Sequence, residues 1–454
     1  MKSKLVYFDN ASTTPIDERV FKAMLPYFKK EYGNPSNLYE MGRNAKRAIQ
    51  EATEKIAKVL HCRPDEFIFT GSATEADNLA IAGVARANKE FGNKIIVSSV
   101  EHKGILAVCE NLKKEGFEIV KLPVGKDGIV DLEYLKKELD DKTILVSVTM
   151  ADSETGTLQP IFEIAKIISN FKNRQISNSK FSRFLNTKIE DPRFCKAKSG
   201  QIPNGKMAKP FFHTDASQAA SYLNADVQKL GVDIMTLSAH KMHGPKGSAG
   251  LYVKSGVKVN PIIFGGGQQG KLRSGTENVP AIVGFGEAFE LNQKQKKSRI
   301  AKLKKLRDKL EAGIFKSIPK VILNGHSKNR LPNFLNISIL DVEGEALLLY
   351  LDELGIMVNT GSACNSESLE PSYVLTAIGN PYEFVHGSIR FSLSSDNTVE
   401  EVNYVLKNLP KIVAKLRKIS PLDLSLNQKE SISDKKAFVG NQMPHFLRKP
   451  KSNF

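Results

Sequence analysis

Phe67-Ile68-Phe69-Thr70-Gly71-Ser72-Ala73-Thr74-Glu75 runs from four strand-forming residues through a glycine turn into the start of a helix. Aromatic and β-branched residues favour the extended chain, and the hydroxyl-to-glutamate spacing that follows is a helix-start pattern. The same alternation extends in both directions. Residues 43–60 place Ala45, Ala48, Ile49, Ala52, Ile56 and Leu60 on one helical face. Helices are predicted at 74–89, 105–114, 132–139 and 161–169, and strands at 95–99, 117–122, 143–149, 211–214, 234–237 and 250–253. Strands alternating with helices of this length imply an α/β fold with a mainly parallel sheet, whose active site lies beyond the strands' carboxyl ends. After Gly265-Gly266-Gly267 the pattern changes. One long Lys-rich helix is predicted at 281–315. It precedes strands at 334–339, 356–358 and 388–393 and helices at 345–354, 371–378 and 399–416, a smaller α+β unit.

Composition narrows the class. The chain has 454 residues and a net charge of +17, enough length for a large α/β unit or two domains. Twelve of those net charges fall in segments 171–210 and 425–454, which are polar and weakly periodic. They read as a surface insertion (about 171–208) and a basic tail (421–454) of disorder-like composition. Such segments suit a solvated linker or an RNA or acidic partner. Cys62, Cys109, Cys195 and Cys364 form no CxxC pair, which argues against a disulfide scaffold or cysteine-rich zinc site and suggests the cytoplasm. With no apolar run of 18 residues and no secretory pattern at the start, no membrane association is expected.

Five short segments carry chemistry. In Ser238-Ala239-His240-Lys241, before Gly244-Pro245-Lys246-Gly247, a lysine at a strand end can be desolvated, acquire a lowered pKa and form a Schiff base with an aldehyde. Alone it also reads as a surface lysine in a turn. In His213-Thr214-Asp215-Ala216-Ser217-Gln218, a carboxylate past a strand end can keep a pyridinium nitrogen protonated, and Gln218 sits one helical turn on. Asp215 as a simple helix N-cap is the competing reading. The Thr70–Glu75 turn can cup a phosphate with backbone N–H groups, or merely cap its helix. His102, within Glu101-His102-Lys103, can stack on a planar ring, shuttle protons or serve structure. Small residues around Cys364, Gly361-Ser362-Ala363-Cys364-Asn365-Ser366, suit an accessible thiol on a flexible loop, or an incidental cysteine.

With Tyr7–Pro15, Gly33-Asn34-Pro35-Ser36, Arg273–Asn278, Leu369–Tyr373 and Ser388–Ser392, these segments occur in one order from about residue 6 to residue 416. In that order they resemble the cysteine desulfurases of the NifS/IscS type, fold-type I pyridoxal-phosphate enzymes of the class V aminotransferase superfamily. The resemblance implies a homodimer with a seven-stranded large domain. Its divisions would be an N-terminal segment packing with the small domain (1–15), a large cofactor domain (16–264) and a small C-terminal domain (265–420). By that resemblance Lys241 bonds covalently to pyridoxal 5'-phosphate, Asp215 pairs with its ring nitrogen, Gln218 contacts its phenolic oxygen and His102 stacks on it. Ala73, Thr74, Ser238 and His240 bind the phosphate, with Thr276 reaching in from the second subunit. Arg390, Ser153 and Asn34 hold L-cysteine, and Lys241, His102 and Cys364 are catalytic, Cys364 accepting the sulfur. The products are alanine and an enzyme persulfide, passed to an iron–sulfur scaffold or a tRNA-thiolation enzyme.

Two departures stand out. Asp152-Ser153-Glu154 replaces the family's Asn-Asn-Glu, and an inward Asp152 would repel a substrate carboxylate. The basic insertion is absent from the usual pattern and is expected to meet an RNA or an acidic sulfur acceptor. Other readings are a selenocysteine lyase, an aminotransferase, or a non-catalytic binding homologue.

Overall fold

The computed structural model describes residues 5–178, 201–202, 206–207, 209–360, 371–420 and 424. Its seven-stranded sheet runs in the order Phe67–Thr70, Ala249–Val253, Ile234–Ser238, Phe211–Asp215, Thr143–Ser147, Lys94–Ser98, Glu118–Leu122. Ala249–Val253 is antiparallel to both neighbours, and the other pairings are parallel. The reason is the connection. Only ten residues, 239–248, separate Ile234–Ser238 from the next strand, too few for the crossover helix a parallel return requires. Every residue of Thr143–Ser147, Phe211–Asp215 and Ile234–Ser238 is buried. Helical cover on both faces explains why these strands read as continuous apolar runs.

The 43–60 stripe lies on helix Glu40–Leu60, whose buried residues include all six predicted positions. It packs on Val279–Lys294 so closely that a Cβ at Gly286 would stand 2.8 Å from Ala52 Cα. A second, antiparallel sheet joins Val321–Leu323, Phe334–Ile339 and Ser388–Ser392. Helix Val399–Ile419, opened by a Thr398/Glu401 capping box, buries Val402, Val405, Leu409, Ile412, Val413 and Leu416. The N-terminal segment threads between the sheets. Val6–Tyr7 pairs with Ile356–Met357, Ala11 N–H donates to Ser392 Oγ (2.8 Å), and Thr14 N–H donates to the His240 carbonyl (2.9 Å).

Two predicted helices are broken. The 74–89 segment divides into Ala73–Asn78, a π-turn at Leu79–Gly83, and Val84–Ala87. The 281–315 segment divides at Gln295 into Val279–Lys294 and Lys296–Ser317. Strand Val321–Leu323 has no counterpart in the predicted pattern.

Gly156 ties the turn after Thr143–Ser147 to the second sheet. Its φ is +75°, and an added Cβ would lie 2.6 Å from Phe334 Cβ. Gly156→Ala therefore combines left-handed strain with overpacking and is expected to cost about 1–3 kcal/mol. A lower urea midpoint with unchanged slope is the expected result.

Candidate active site

Five strand ends converge on a cleft of about 230 Å³. Phe67–Thr70 leads to Ala73 and Thr74, Lys94–Ser98 to His102, and Thr143–Ser147 to Ser153. Phe211–Asp215 ends in Asp215 itself, and Ile234–Ser238 leads to His240 and Lys241. All these residues and Gln218 line the cleft. They lie where parallel strands leave their carboxyl ends, as the alternation predicts.

Lys241 Nζ donates to the Ala11 carbonyl (2.9 Å), which also accepts from Gln218 Nε2 (2.9 Å). Asp215 Oδ1 accepts the Ser217 N–H (2.8 Å). His102 caps helix Lys103–Lys114 by accepting the Gly104 N–H on Nδ1 (3.1 Å), which leaves Nε2 to carry the neutral ring's proton. Desolvation lowers the His102 pKa against the opposing pull of Asp215. His240 Nδ1 meets Thr13 Oγ1 (3.2 Å), and burial, with Lys241 and Lys246 nearby, lowers its pKa to about 4. It is neutral at physiological pH.

The donor set suits pyridoxal phosphate. Ser72, Ala73 and Thr74 open a helix at the cleft, and Ser238 Oγ, just before the His240–Lys241 turn, is buried with no hydrogen-bond partner among the described residues. An anion fits a helix start and hydroxyls. Asp215 and Lys241, on adjacent strand ends, supply the carboxylate and amine that the ring requires.

Two carboxyls were missed by sequence reading. Asp77 and Glu101 are fully buried, and Glu101 Oε2 has no hydrogen-bond partner among the described residues. Burial, with Asp215 nearby, pushes both well above the usual carboxyl range. Asp77 also lines the cleft and stands 3.9 Å from the buried, neutral His213. Its signal was positional, one helical turn past Thr74.

Asp152 does not point into the cleft. Its carboxylate accepts the backbone N–H groups of Glu154 (2.9 Å), Thr155 (2.7 Å) and Thr157 (3.0 Å) and the Thr155 hydroxyl. It organises its own turn, so the feared repulsion of substrate is absent. The Ser153 carbonyl accepts from Arg390 Nη1 (2.7 Å), while Arg390 Nη2 donates to Asp9 Oδ1 (2.8 Å) and Ser12 Oγ (3.0 Å). Arg390 thus stands behind Ser12 and Ser153, two residues of the cleft wall.

Asn34 and Thr276 are exposed and do not line this cleft. Asn34 Oδ1 instead accepts the Ser36 N–H (2.9 Å). Cys364 lies outside the described residues, as do Cys195, the tail beyond Leu424 and most of the basic insertion. The residues flanking 361–370 are anchored at the cleft. Asn359 Nδ2 donates to Ser12 Oγ (3.1 Å), and the Tyr373 hydroxyl donates to the carbonyl of Glu101 (2.6 Å).

Glu154 accepts the Ser372 hydroxyl at the second anchor. Burial pushes its pKa from 4.5 to about 7. Between those values the folded chain binds more protons than the unfolded one, so this group makes stability fall as pH rises through that window. Glu154→Gln cannot titrate, and its stability relative to the parent should increase between pH 5 and pH 8. Urea unfolding at both pH values checks this, and an identical difference at the two would refute it.

Residues 6–176 and 202–405 match the family described as aminotransferase class-V. The cysteine desulfurase IscS of Methanosarcina thermophila is 45% identical over 421 residues, covering 93% of this chain and 95% of its own. Its namesake from Dictyoglomus turgidum is 45% identical over 416 residues, 92% of this chain and 96% of its own. The solved NifS-like protein from Rickettsia africae superposes with a TM-score of 0.74 at 31% identity, covering 90% of this chain and 100% of that one. With the match running through every strand that feeds the cleft, the chain belongs to the class V aminotransferase family of pyridoxal-phosphate enzymes.

Proposed function

We infer that the protein is a cysteine desulfurase, taking sulfur from L-cysteine and leaving alanine. The gathering of Lys241, Asp215, Gln218 and His102 in one cleft carries this reading, and the curated relatives named cysteine desulfurase support it. Pyridoxal phosphate, when bound, supplies an electron sink for the carbon bearing the substrate's amino group. Lys241 Nζ would hold the cofactor and, when free of it, would take the proton from the substrate's α-carbon. The Asp215 carboxylate keeps the pyridine nitrogen protonated. Gln218 orients the phenolic edge. Ala73, Thr74, Ser238 and His240 hold the phosphate, and Thr276 completes that cup from the second subunit.

Arg390 offers the substrate carboxylate a planar fork once Nη1 leaves the Ser153 carbonyl and Nη2 leaves Asp9 and Ser12. Ser153, on the cleft wall, completes substrate binding. His102 Nε2 moves the proton needed on the sulfur side. The Cys364 thiolate attacks the substrate's sulfur. An S–S bond forms, the C–S bond breaks, and its electron pair stays with the carbon fragment, which takes up protons and leaves as alanine. Cys364 is five residues from the Asn359 anchor, so a fully extended chain reaches at most roughly 17–18 Å from it. That is enough to carry sulfur out to an acceptor, an iron–sulfur scaffold or a tRNA-thiolation enzyme. Between Phe21 and Tyr39 the chain exposes Phe21, Leu25, Phe28, Tyr32, Leu38 and Tyr39. Such an apolar surface supports a homodimer.

Incubation with L-cysteine and a thiol reductant should yield alanine and sulfide in equal amounts. Cys364→Ser should lower both by at least a hundredfold while leaving the yellow cofactor colour intact, and Lys241→Ala should remove the covalent chromophore. Full sulfide release by Cys364→Ser would instead favour a selenocysteine-lyase type of reaction. Arg390→Lys keeps the charge but loses the fork, and a tenfold or larger rise in KM with a smaller change in kcat is expected.

A further inference from the structure

Ser12 is exposed, belongs to the wall of the catalytic cleft, and has its oxygen held by two donors behind it. Arg390 Nη2 donates to Ser12 Oγ (3.0 Å), and Asn359 Nδ2 donates to the same atom (3.1 Å). The same two nitrogens also donate to the Asp9 carboxylate, at 2.8 Å and 3.2 Å. A carboxylate paired with a guanidinium only accepts, which fixes the Asn359 amide with its nitrogen toward Asp9 and Ser12. A serine oxygen has two lone pairs and one proton. Here both lone pairs are filled, and the proton has no acceptor among the described residues.

Ser12 lines the cleft, whereas Arg390 and Asn359 do not. Its O–H is therefore the group that carries the pull of the cation to the cleft surface. A hydroxyl whose oxygen accepts from a guanidinium is polarised into a stronger donor. Ser12 also follows Ala11, whose carbonyl accepts from Lys241 Nζ (2.9 Å). The donor thus stands one residue along the chain from the contact that holds the lysine's amine. An α-amino acid likewise carries its carboxylate one carbon from its nitrogen. We propose that Ser12 is a substrate-binding residue that donates its O–H to the α-carboxylate of the amino acid and so selects amines that bear a carboxylate. Only a proton swings about the Cβ–Oγ bond, and no heavy atom of Ser12 moves. When Arg390 turns to offer its fork, Ser12 keeps its bond to Asn359 and its proton for the same carboxylate. The assignment rests on the amino-acid reaction inferred above and extends it by one residue.

The test follows the cofactor's absorbance while the holoenzyme is titrated with L-alanine and, separately, with ethylamine, which is alanine without its carboxylate. Ser12→Ala should weaken L-alanine about tenfold and leave ethylamine unchanged. KM for L-cysteine should rise by a similar factor with little change in kcat. Ser12→Thr keeps a hydroxyl and should recover most of the alanine affinity. Unaltered alanine binding in Ser12→Ala would overturn the assignment, the O–H then serving only water. Equal weakening of alanine and ethylamine would also overturn it, because a general disturbance of the cleft does not discriminate by carboxylate. A parent protein that releases no sulfide from L-cysteine would count against the desulfurase reading instead, and the comparison of alanine with ethylamine would still decide the role of Ser12.

Discussion

One backbone carbonyl, that of Ala11, organises the catalytic end of the molecule. It accepts from Lys241 Nζ and from Gln218 Nε2, two side chains carried by different strands of the large sheet. Ala11 can do this because its own N–H is held by Ser392 Oγ on the second sheet and the neighbouring Thr14 is held by His240. A short N-terminal stretch thus fixes the lysine's position relative to the sheet bearing Arg390. Any displacement of that stretch is felt by both ends of a bound amino acid.

Beneath this arrangement lies an unusual concentration of acid. Asp77, Glu101 and Asp215 approach one another below the cleft, and burial, with Asp215 nearby, pushes the first two well above the usual carboxyl range because a second and third charge there are costly. Neutral His213, bonded to Ser147 and Thr236 through its two nitrogens, fills the remaining polar space without adding charge. The net effect is a floor rich in hydrogen-bonding groups and poor in formal charge, against which one carboxylate can act on a ring nitrogen.

The α/β alternation, the strand-end positions of His102, Asp215 and Lys241, and the amphipathic face of Glu40–Leu60 were legible because each rests on local rules of spacing. What escaped was set by tertiary surroundings. Asp77 looks like a surface residue of a short helix until its neighbours are known. Asp152 invited concern as an inward charge, but its turn supplies enough N–H donors to hold it elsewhere. The break at Gln295 has no glycine or proline to announce it, and Arg299 is hidden in a run of lysines that reads as a solvated face. The antiparallel strand Ala249–Val253 follows from the length of a connection that periodicity alone does not measure.

The family match pauses after residue 176 and resumes at 202, between the far end of helix Ile161–Asn178 and the beginning of strand Phe211–Asp215. That strand meets the cleft at its last residue. The extra chain is therefore spliced in at the opposite pole of the sheet, roughly 17 Å away along a five-residue strand. The points where it joins the described fold lie at the ends of their elements away from the cleft.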